Sequence, residues 1–171
     1  AACAAACAAT LPTLRHATDS RAPVEAASLA FDGIGLDFVE GKKTAELLST
    51  HGFPDGALLF AGVVNGKNIW RNRYEKTLSI LKKAARSVPL QNIVVGTSCS
   101  LLHVPYTVAE ETGIDEDHKK HFAFAQEKLG ELRELSELAE DDDSLDRPAC
   151  RNNAALFRSR KETSDPKVRK Q

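Results

Sequence analysis

The hydrophobic positions of this chain change their spacing several times after residue 31, and each change predicts a new element. Short runs that are apolar at nearly every position predict strands buried on both faces over residues 33–39, 57–64 and 93–96. After each run, the apolar residues recur every three or four positions, which predicts helices over about 44–50, 69–87 and 115–140. The predicted buried stripes are Trp70, Tyr74, Thr77, Leu78, Leu81, Ala85 and Val88 in the second helix and Phe122, Ala125, Leu129, Leu132, Ser136 and Ala139 in the third.

Three successive strand-then-helix units predict an α/β fold with helices covering a parallel sheet. Right-handed crossovers would make the strands neighbours and leave both outer edges unpaired. Because a complete sheet of this kind usually has about five strands, we expect part of a larger sheet. Before it, residues 1–30 are alanine-rich and lack periodicity, and after it residues 142–171 have the charged composition of a linker or tail. The chain is therefore predicted to consist of an irregular N-terminal segment (1–30), a partial α/β domain (31–141) and a linker or tail (142–171).

Composition narrows the class of protein. The 171 residues are 42% hydrophobic and 27% charged with a net charge of -1, which is typical of a soluble globular chain. No apolar stretch approaches the roughly 20 residues needed to span a bilayer, and the balanced charge gives no electrostatic case for nucleic acid. Four irregularly spaced cysteines favour a reducing, cytoplasmic setting over a disulfide framework. The absence of methionine predicts a processed protein or part of a longer reading frame.

Polar residues follow the predicted carboxyl ends of all three strands, where α/β folds place their ligand crevice. We expect these clusters to converge at one mouth and to supply its candidate substrate contacts. Asp37 and Glu40 follow the first strand. The other candidates are Asn65, Lys67, Asn68 and Arg71 after the second strand, and Ser98, Cys99, Ser100 and His103 after the third.

Three interpretations of Cys99 and His103 are open. They could ligate zinc, although a closed site needs four ligands and an open site needs three, and no other residue here has ligand spacing. Cys99 could act as a nucleophile with His103 as its base, although no third group is identifiable to orient the histidine. The favoured interpretation is that Cys99 packs as a small hydrophobic side chain. We therefore predict no catalytic and no metal-binding residue in this chain.

Several segments together resemble one family. Residues 31–41 (FDGIGLDFVEG), 61–72 (AGVVNGKNIWRN) and 97–105 (TSCSLLHVP), followed by 110–112 (EET) and 122–128 (FAFAQEK), are similar to the amino-terminal half of cobalamin-independent methionine synthase. The similarity is collinear from about residue 31 to residue 140. The tail at 158–171 resembles the segment that links the two halves of that enzyme, whereas residues 1–10 match nothing in the family.

The resemblance implies three consecutive β/α units of a (β/α)8 TIM-type barrel, in a cytoplasmic methyltransferase of methionine biosynthesis. Such an enzyme transfers a methyl group from 5-methyltetrahydropteroyltriglutamate to homocysteine. Its zinc, which deprotonates the homocysteine thiol, is implied to lie on His, Cys and Glu residues of the carboxy-terminal barrel, outside this chain. The implied partners are that barrel, homocysteine and the methyltetrahydrofolate polyglutamate, and Cys99 would be a relict ligand position that is now structural.

Two other functions are kept beside this one. The chain could be a stand-alone, non-catalytic α/β module that binds a folate or another small anion at the strand ends through Asn65, Lys67, Arg71 and Ser98. It could also be a free-standing methyltransferase that uses Cys99, which predicts methionine formation by this chain alone. The favoured hypothesis predicts that the chain alone is inactive.

Overall fold

Three parallel strands form the sheet of this chain, whose computed structural model describes residues 32–141 and 143–159. The strands are β1 (Gly33–Asp37), β2 (Leu58–Val64) and β3 (Ile93–Thr97), with β2 in the centre. The register of β1 on β2 is continuous along β1, so the carboxyl ends of the strands lie at one edge. The predicted α/β class is confirmed. The described sheet is not closed into a barrel, and it has the arrangement expected of consecutive units of a TIM-type barrel.

Helices connect and cover the strands. α1 follows β1, α2 follows β2, and α3 and α4 follow β3, while α5 packs against α2. Their bounds are α1 Thr44–His51, α2 Tyr74–Ala84, α3 Glu116–Lys119, α4 Ala125–Ala139 and α5 Pro148–Ser159. Single turns of 3-10 helix lie at Leu90–Asn92, Leu101–His103, Val108–Glu110 and Ser144–Asp146.

Two predicted helices are shorter in the structure, and one tertiary contact explains both differences. Residues 69–73 precede α2 instead of belonging to it, and residues 120–124 separate α3 from α4. These two segments bind each other. The backbone N–H of Arg71 donates to the carbonyl of His121 at 3.1 Å, and the N–H of Ala123 donates to the carbonyl of Ile69 at 2.8 Å. Backbone groups used in this way cannot also continue a helix, so the tertiary contact overrides the local periodicity.

The buried face of α4 is displaced by one position from the predicted stripe. Leu129, which the stripe placed in the core, is 59% exposed. The residues buried instead are Lys128, Glu131, Leu135 and Leu138. Because two of these four are charged, a hydrophobicity pattern selects the neighbouring positions. The predicted stripe is therefore correct in part: Leu129 is exposed, whereas Leu132 and Ala139 pack against the core.

Helix α5 lies in the segment assigned from sequence to a linker or tail. Pro148 opens it, a position where the missing N–H of proline costs nothing. Asn153 is 7% exposed and bridges two backbone positions: its Oδ1 accepts from the N–H of Tyr74 at 3.1 Å, and its Nδ2 donates to the carbonyl of Asn72 at 2.9 Å. α5 therefore caps the first turn of α2. α5 also packs Ala149 and Cys150 against the core, a signal that the charged composition of this segment concealed.

One hydrophobic core lies between the sheet and the helices. α1, α2, α4 and α5 all contribute to it, with β2 at its centre, and its members are Phe38, Leu48, Leu59, Ala61, Val63, Val64, Tyr74, Leu78, Leu81, Ala84, Val88, Leu135, Leu138 and Cys150. Within residues 32–141 and 143–159, no helix has the length and apolarity that crossing a bilayer requires. The expectations for residues 1–30 lie outside the described residues.

Candidate functional site

The polar clusters that follow the three strands lie close together at the carboxyl edge of the sheet, which we call the mouth. The N–H of Gly66 donates to Oγ of Ser98 at 3.3 Å, which joins the loop after β2 to the loop after β3. The Lys67 ammonium lies 2.7 Å from Oε1 of Glu40, which joins the loop after β2 to the end of β1. All three strand ends therefore meet, as expected for parallel strands.

Asp37, at the end of β1, organises the chain that follows it. Its Oδ1 accepts from the N–H of Val39 at 2.7 Å and from the N–H of Glu40 at 3.1 Å. Its backbone carbonyl accepts from the Thr44 hydroxyl at 2.8 Å, which ties the start of α1 to the strand. The carboxylate is only partly buried and is used in a turn. That turn aims Glu40 towards Lys67.

The loop after β2, residues 65–73, is called the β2 loop, and its tip lies at the mouth. Oδ1 of Asn65 accepts from the N–H groups of Lys67 and Asn68 at 2.8 and 3.2 Å and closes the turn. The ammonium of Lys67 is exposed. Its hydrogen bond to Glu40 raises its pKa above the ordinary lysine value, desolvation opposes this rise, and the charges of Glu40 and Asp37 add to it. Lys67 is therefore a firmly charged cation at the mouth.

The rest of the β2 loop turns away from the mouth and into the protein. Asn68 uses its Oδ1 to accept from the N–H of Trp70 at 3.2 Å. Arg71 directs its Nε to the carbonyl of Lys120 at 2.8 Å, and its Nη1 lies 3.9 Å from Oε1 of Glu131. Asn68 and Arg71 were candidates for substrate contact, and the structure places their polar groups in bonds within the protein.

The loop after β3, residues 98–115, is called the β3 loop, and it carries the last four candidates. Ser98 is tied to β2 because its N–H donates to the carbonyl of Val64 at 2.8 Å. Cys99 packs against Gly66, where a Cβ would lie 2.9 Å from Sγ and 2.5 Å from the Cys99 carbonyl oxygen. Ser100 accepts from the N–H of Leu102 at 3.3 Å. His103 is exposed. Only glycine therefore fits opposite Cys99.

The mouth does not provide the ligands of a zinc ion. Among the residues that the structure describes, no three His, Cys, Asp or Glu side chains lie close enough together to hold a metal. A catalytic zinc needs three protein ligands, and Cys99 has no such companions. No step of the chemistry below passes through a metal held by the described residues.

Sequence reasoning missed the residues that hold the β2 loop from below. Lys128 and Glu131 on α4 are 1% and 2% exposed. Nζ of Lys128 donates to the carbonyl of Trp70 at 3.1 Å, and Oε1 of Glu131 accepts from the N–H of Asn72 at 3.0 Å. The only sequence signal was the position of both residues one place before the predicted apolar stripe, and charged residues there are normally read as solvated.

Comparison with known proteins points to one family. The family described as "Cobalamin-independent synthase, N-terminal domain" matches residues 13–89. The match covers β1, α1, β2 and α2, and so includes two of the three strand ends that form the mouth.

Curated relatives extend the similarity through β3 and α4. A 5-methyltetrahydropteroyltriglutamate–homocysteine methyltransferase from Lactococcus lactis subsp. cremoris is 57% identical over 114 residues, which is 67% of this chain and 15% of the relative. A protein of the same name from Campylobacter jejuni is 46% identical over 139 residues, or 81% of this chain and 18% of the relative. One from Streptococcus suis is 58% identical over 111 residues, 65% of this chain and 14% of the relative. The chain thus spans about 15% of the length of the relatives it matches.

Proposed function

Because this chain belongs to the cobalamin-independent methionine synthase family, we propose that it supplies part of the N-terminal domain of a methyltransferase. The reaction is the transfer of a methyl group from 5-methyltetrahydropteroyltriglutamate to homocysteine, which gives methionine. The observation that carries this proposal is the 57% identity, over two thirds of the chain, to a relative with that name. The setting is the cytoplasm, and the partners are the two substrates and a carboxy-terminal barrel.

The chemistry assigns different tasks to the two parts of such an enzyme. Methyl transfer to sulfur needs a deprotonated thiol, and a metal ion is the usual means of obtaining one at neutral pH. The described residues offer no metal ligand set, so this task falls to sequence that the relatives have beyond the matched 15%. The chain by itself is therefore inactive as a methyltransferase in this proposal.

The task of this chain is to shape one wall of the substrate crevice. Its mouth carries the exposed ammonium of Lys67, which is paired with Glu40, beside the partly exposed Asn65 and Ser98. The exposed Ser100 follows in the β3 loop. A folate with a polyglutamate tail is polyanionic, and a fixed cation with neighbouring hydrogen-bonding groups suits a carboxylate. Asp37, Asn68, Arg71, Cys99 and His103 complete the candidate set.

A chimeric enzyme tests the proposal. The matching segment of the Lactococcus lactis relative is replaced by that of this chain, and methionine formation is measured with homocysteine and the triglutamyl donor. We expect activity in the chimera and none in the 171-residue chain alone. An inactive but folded chimera, with the parent enzyme active beside it, would contradict the proposal.

The same assay separates the two alternatives. Methionine formed by the 171-residue chain alone would favour a free-standing methyltransferase that uses Cys99, and Cys99→Ser would then abolish it. Binding of the folate by the isolated chain, combined with an inactive chimera, would favour a stand-alone binding module. Lys67→Gln is the variant for that measurement, since it removes the exposed cation and keeps a polar, flexible side chain that is one atom shorter.

A further inference from the structure

Two charged side chains lie in the interior beneath the mouth, where charged groups are rarely found. Lys128 is among the largest fully buried side chains of the described residues, and Glu131 is buried beside it on the next turn of α4. Burial lowers the pKa of Lys128 and raises that of Glu131, and the attraction between the two charges opposes both shifts. Lys and Glu are almost never fully buried without a specific partner.

Their partners are backbone groups of a single loop. Residues three apart on a helix lie on one face, and from that face Lys128 donates to the carbonyl of Trp70 while Glu131 accepts from the N–H of Asn72. The two bonds fix the β2 loop at points two residues apart. A donor is presented to a carbonyl and an acceptor to an N–H, so the pair fixes the direction of the backbone as well as its position.

Stability alone does not account for this arrangement. Replacing buried charged side chains by apolar ones of similar volume is often neutral or stabilising. Oε2 of Glu131 has no hydrogen-bond partner among residues 32–141 and 143–159, so the carboxylate directs its hydrogen bonding to the Asn72 N–H of the β2 loop.

The two bonds hold the second half of the β2 loop, which continues from its tip at the mouth. Trp70 lies three residues after Lys67, and the turn formed by Asn65, Gly66 and Lys67 closes on Oδ1 of Asn65. Lys128 also reaches Oδ1 of Asn68, at 3.5 Å. A change in the backbone at residues 70–72 is therefore carried to the side chains at the tip.

We propose that Lys128 and Glu131 are positioning residues, which fix the backbone of the β2 loop from inside α4 and so set the directions of Asn65 and Lys67 at the mouth. The effect on substrate rests on the proposed function, but the effect on the loop does not. Arg71 belongs with this anchor, because its guanidinium is directed at the Lys120 carbonyl and at Glu131.

Trp70 makes the loop directly observable, since it is the single tryptophan of the chain and is 41% exposed. Its fluorescence in the folded protein is compared for native chain, Lys128→Met, Glu131→Leu and Glu131→Gln. We expect a red-shifted emission and stronger acrylamide quenching in Lys128→Met and Glu131→Leu. Glu131→Gln keeps an oxygen acceptor for Asn72 and should restore the native signal. Glu137→Gln, on the exposed face of α4, is the matched control.

If Lys128 and Glu131 only stabilised the fold, a different result would be expected. In that case the variants would lose stability to urea while the fluorescence of the folded state stayed native, and this result would overturn the proposal. If neither apolar variant folds, hydrogen exchange of the native chain decides: slow exchange of the Asn72 amide supports the anchor, and exchange as fast as in an exposed turn overturns it.

In the chimeric enzyme the same variants test whether the position of the β2 loop affects substrate turnover at the mouth. Since a small misplacement of a binding group can cost about 100-fold in rate, Lys128→Met is expected to lower kcat/KM by up to that factor, with Glu131→Gln close to native. A changed Trp70 signal with an inactive parent chimera would leave the positioning role standing and reject the proposed function. A changed signal with unaltered kinetic constants would reject the link between loop and mouth.

Discussion

The β2 loop and the β3 loop leave neighbouring strands, and both return to the first two turns of α4, but the contacts that hold them differ. The second half of the β2 loop is bound through Trp70, Arg71 and Asn72. The β3 loop is tied to β2 at its start by Ser98 and to α4 at its middle, where Glu127 accepts from the hydroxyl of Thr107 at 2.7 Å. Near its start the β3 loop carries Leu102, which is 89% exposed.

The two glutamates of α4 show what this difference means physically. Burial raises the pKa of Glu127, but hydrogen bonds from Thr107, Val108 and Phe124 outweigh burial and hold the pKa below its ordinary value. Burial also raises the pKa of Glu131, and there the bond from Asn72 and the nearby cations do not compensate. The β3 loop thus has an anchor on α4 that is fully hydrogen-bonded, whereas the anchor of the β2 loop is only partly so. One wall of the mouth is held by two buried charged side chains, and the other is held at Ser98 and Thr107 with exposed residues between them.

The largest expected effect comes from breaking the β2 anchor. Glu131→Leu leaves the N–H of Asn72 without its acceptor and the buried Lys128 without a compensating charge. A buried polar group that loses its hydrogen-bond partner costs about 1–3 kcal/mol, and we expect a loss at the upper end of that range in urea unfolding at neutral pH, because both Asn72 and Lys128 are affected. Glu137→Gln should stay within about 0.5 kcal/mol, as surface changes usually do. Equal values for the two variants would contradict the buried anchor.

A smaller effect is expected where the two loops touch. In Gly66→Ala the new Cβ would lie 2.5 Å from the carbonyl oxygen of Cys99, closer than atoms can approach. Overpacking of this kind costs about 1–3 kcal/mol, and it should also separate Gly66 from Ser98. Gly113→Ala in the β3 loop is the control, because nothing lies within 4 Å of the position of its Cβ. A native melting curve for Gly66→Ala would show that the loops are not in close contact.

The two loops also differ in how far their structure could be predicted from the sequence. The three strands were predictable because each is an apolar run with polar residues at its end, and parallel pairing then brings Asp37, Asn65 and Ser98 to one mouth. Lys128 and Glu131 were not predictable, since nothing in the local pattern distinguishes a lysine under a loop from a lysine in water. Their burial depends on the β2 loop, which lies some 60 residues away in sequence.

The opposite pKa shifts predict opposite responses to pH. Because folding lowers the pKa of Glu127, its stabilising contribution is complete above its ordinary pKa of about 4.3 and is lost as pH falls through the lowered value. Because folding raises the pKa of Glu131, the contribution of that group falls as pH rises from the ordinary value through the raised one. The penalty of Glu127→Gln, about 1 kcal/mol at neutral pH, should therefore shrink in acid, whereas the penalty of Glu131→Gln should grow.

Free energies of unfolding in urea between pH 3 and pH 7 check this. Each glutamine variant serves as the control for the other, because both lie on α4 one turn apart and both replace a carboxylate by an amide of the same shape. The charged groups that act on Glu131 are Lys128, Arg71 and Glu134, and all three are intact in both variants. Parallel pH profiles for the two variants would reject the contrast between the anchors.

The smallest expected effect lies at the exposed Leu102 of the β3 loop, compared with the buried Val108 of the same loop. Leu102→Ala removes a side chain that is 89% exposed, so stability should change by no more than about 0.5 kcal/mol. Val108 is 7% exposed, and removing its two methyl groups should cost about 1–2 kcal/mol from lost burial. The melting temperatures of the two variants, measured by thermal unfolding, compare two positions of the same loop. If Leu102→Ala proved as destabilising as Val108→Ala, the stretch around Leu102 would be packed against the protein, and the contrast between the two walls of the mouth would be lost.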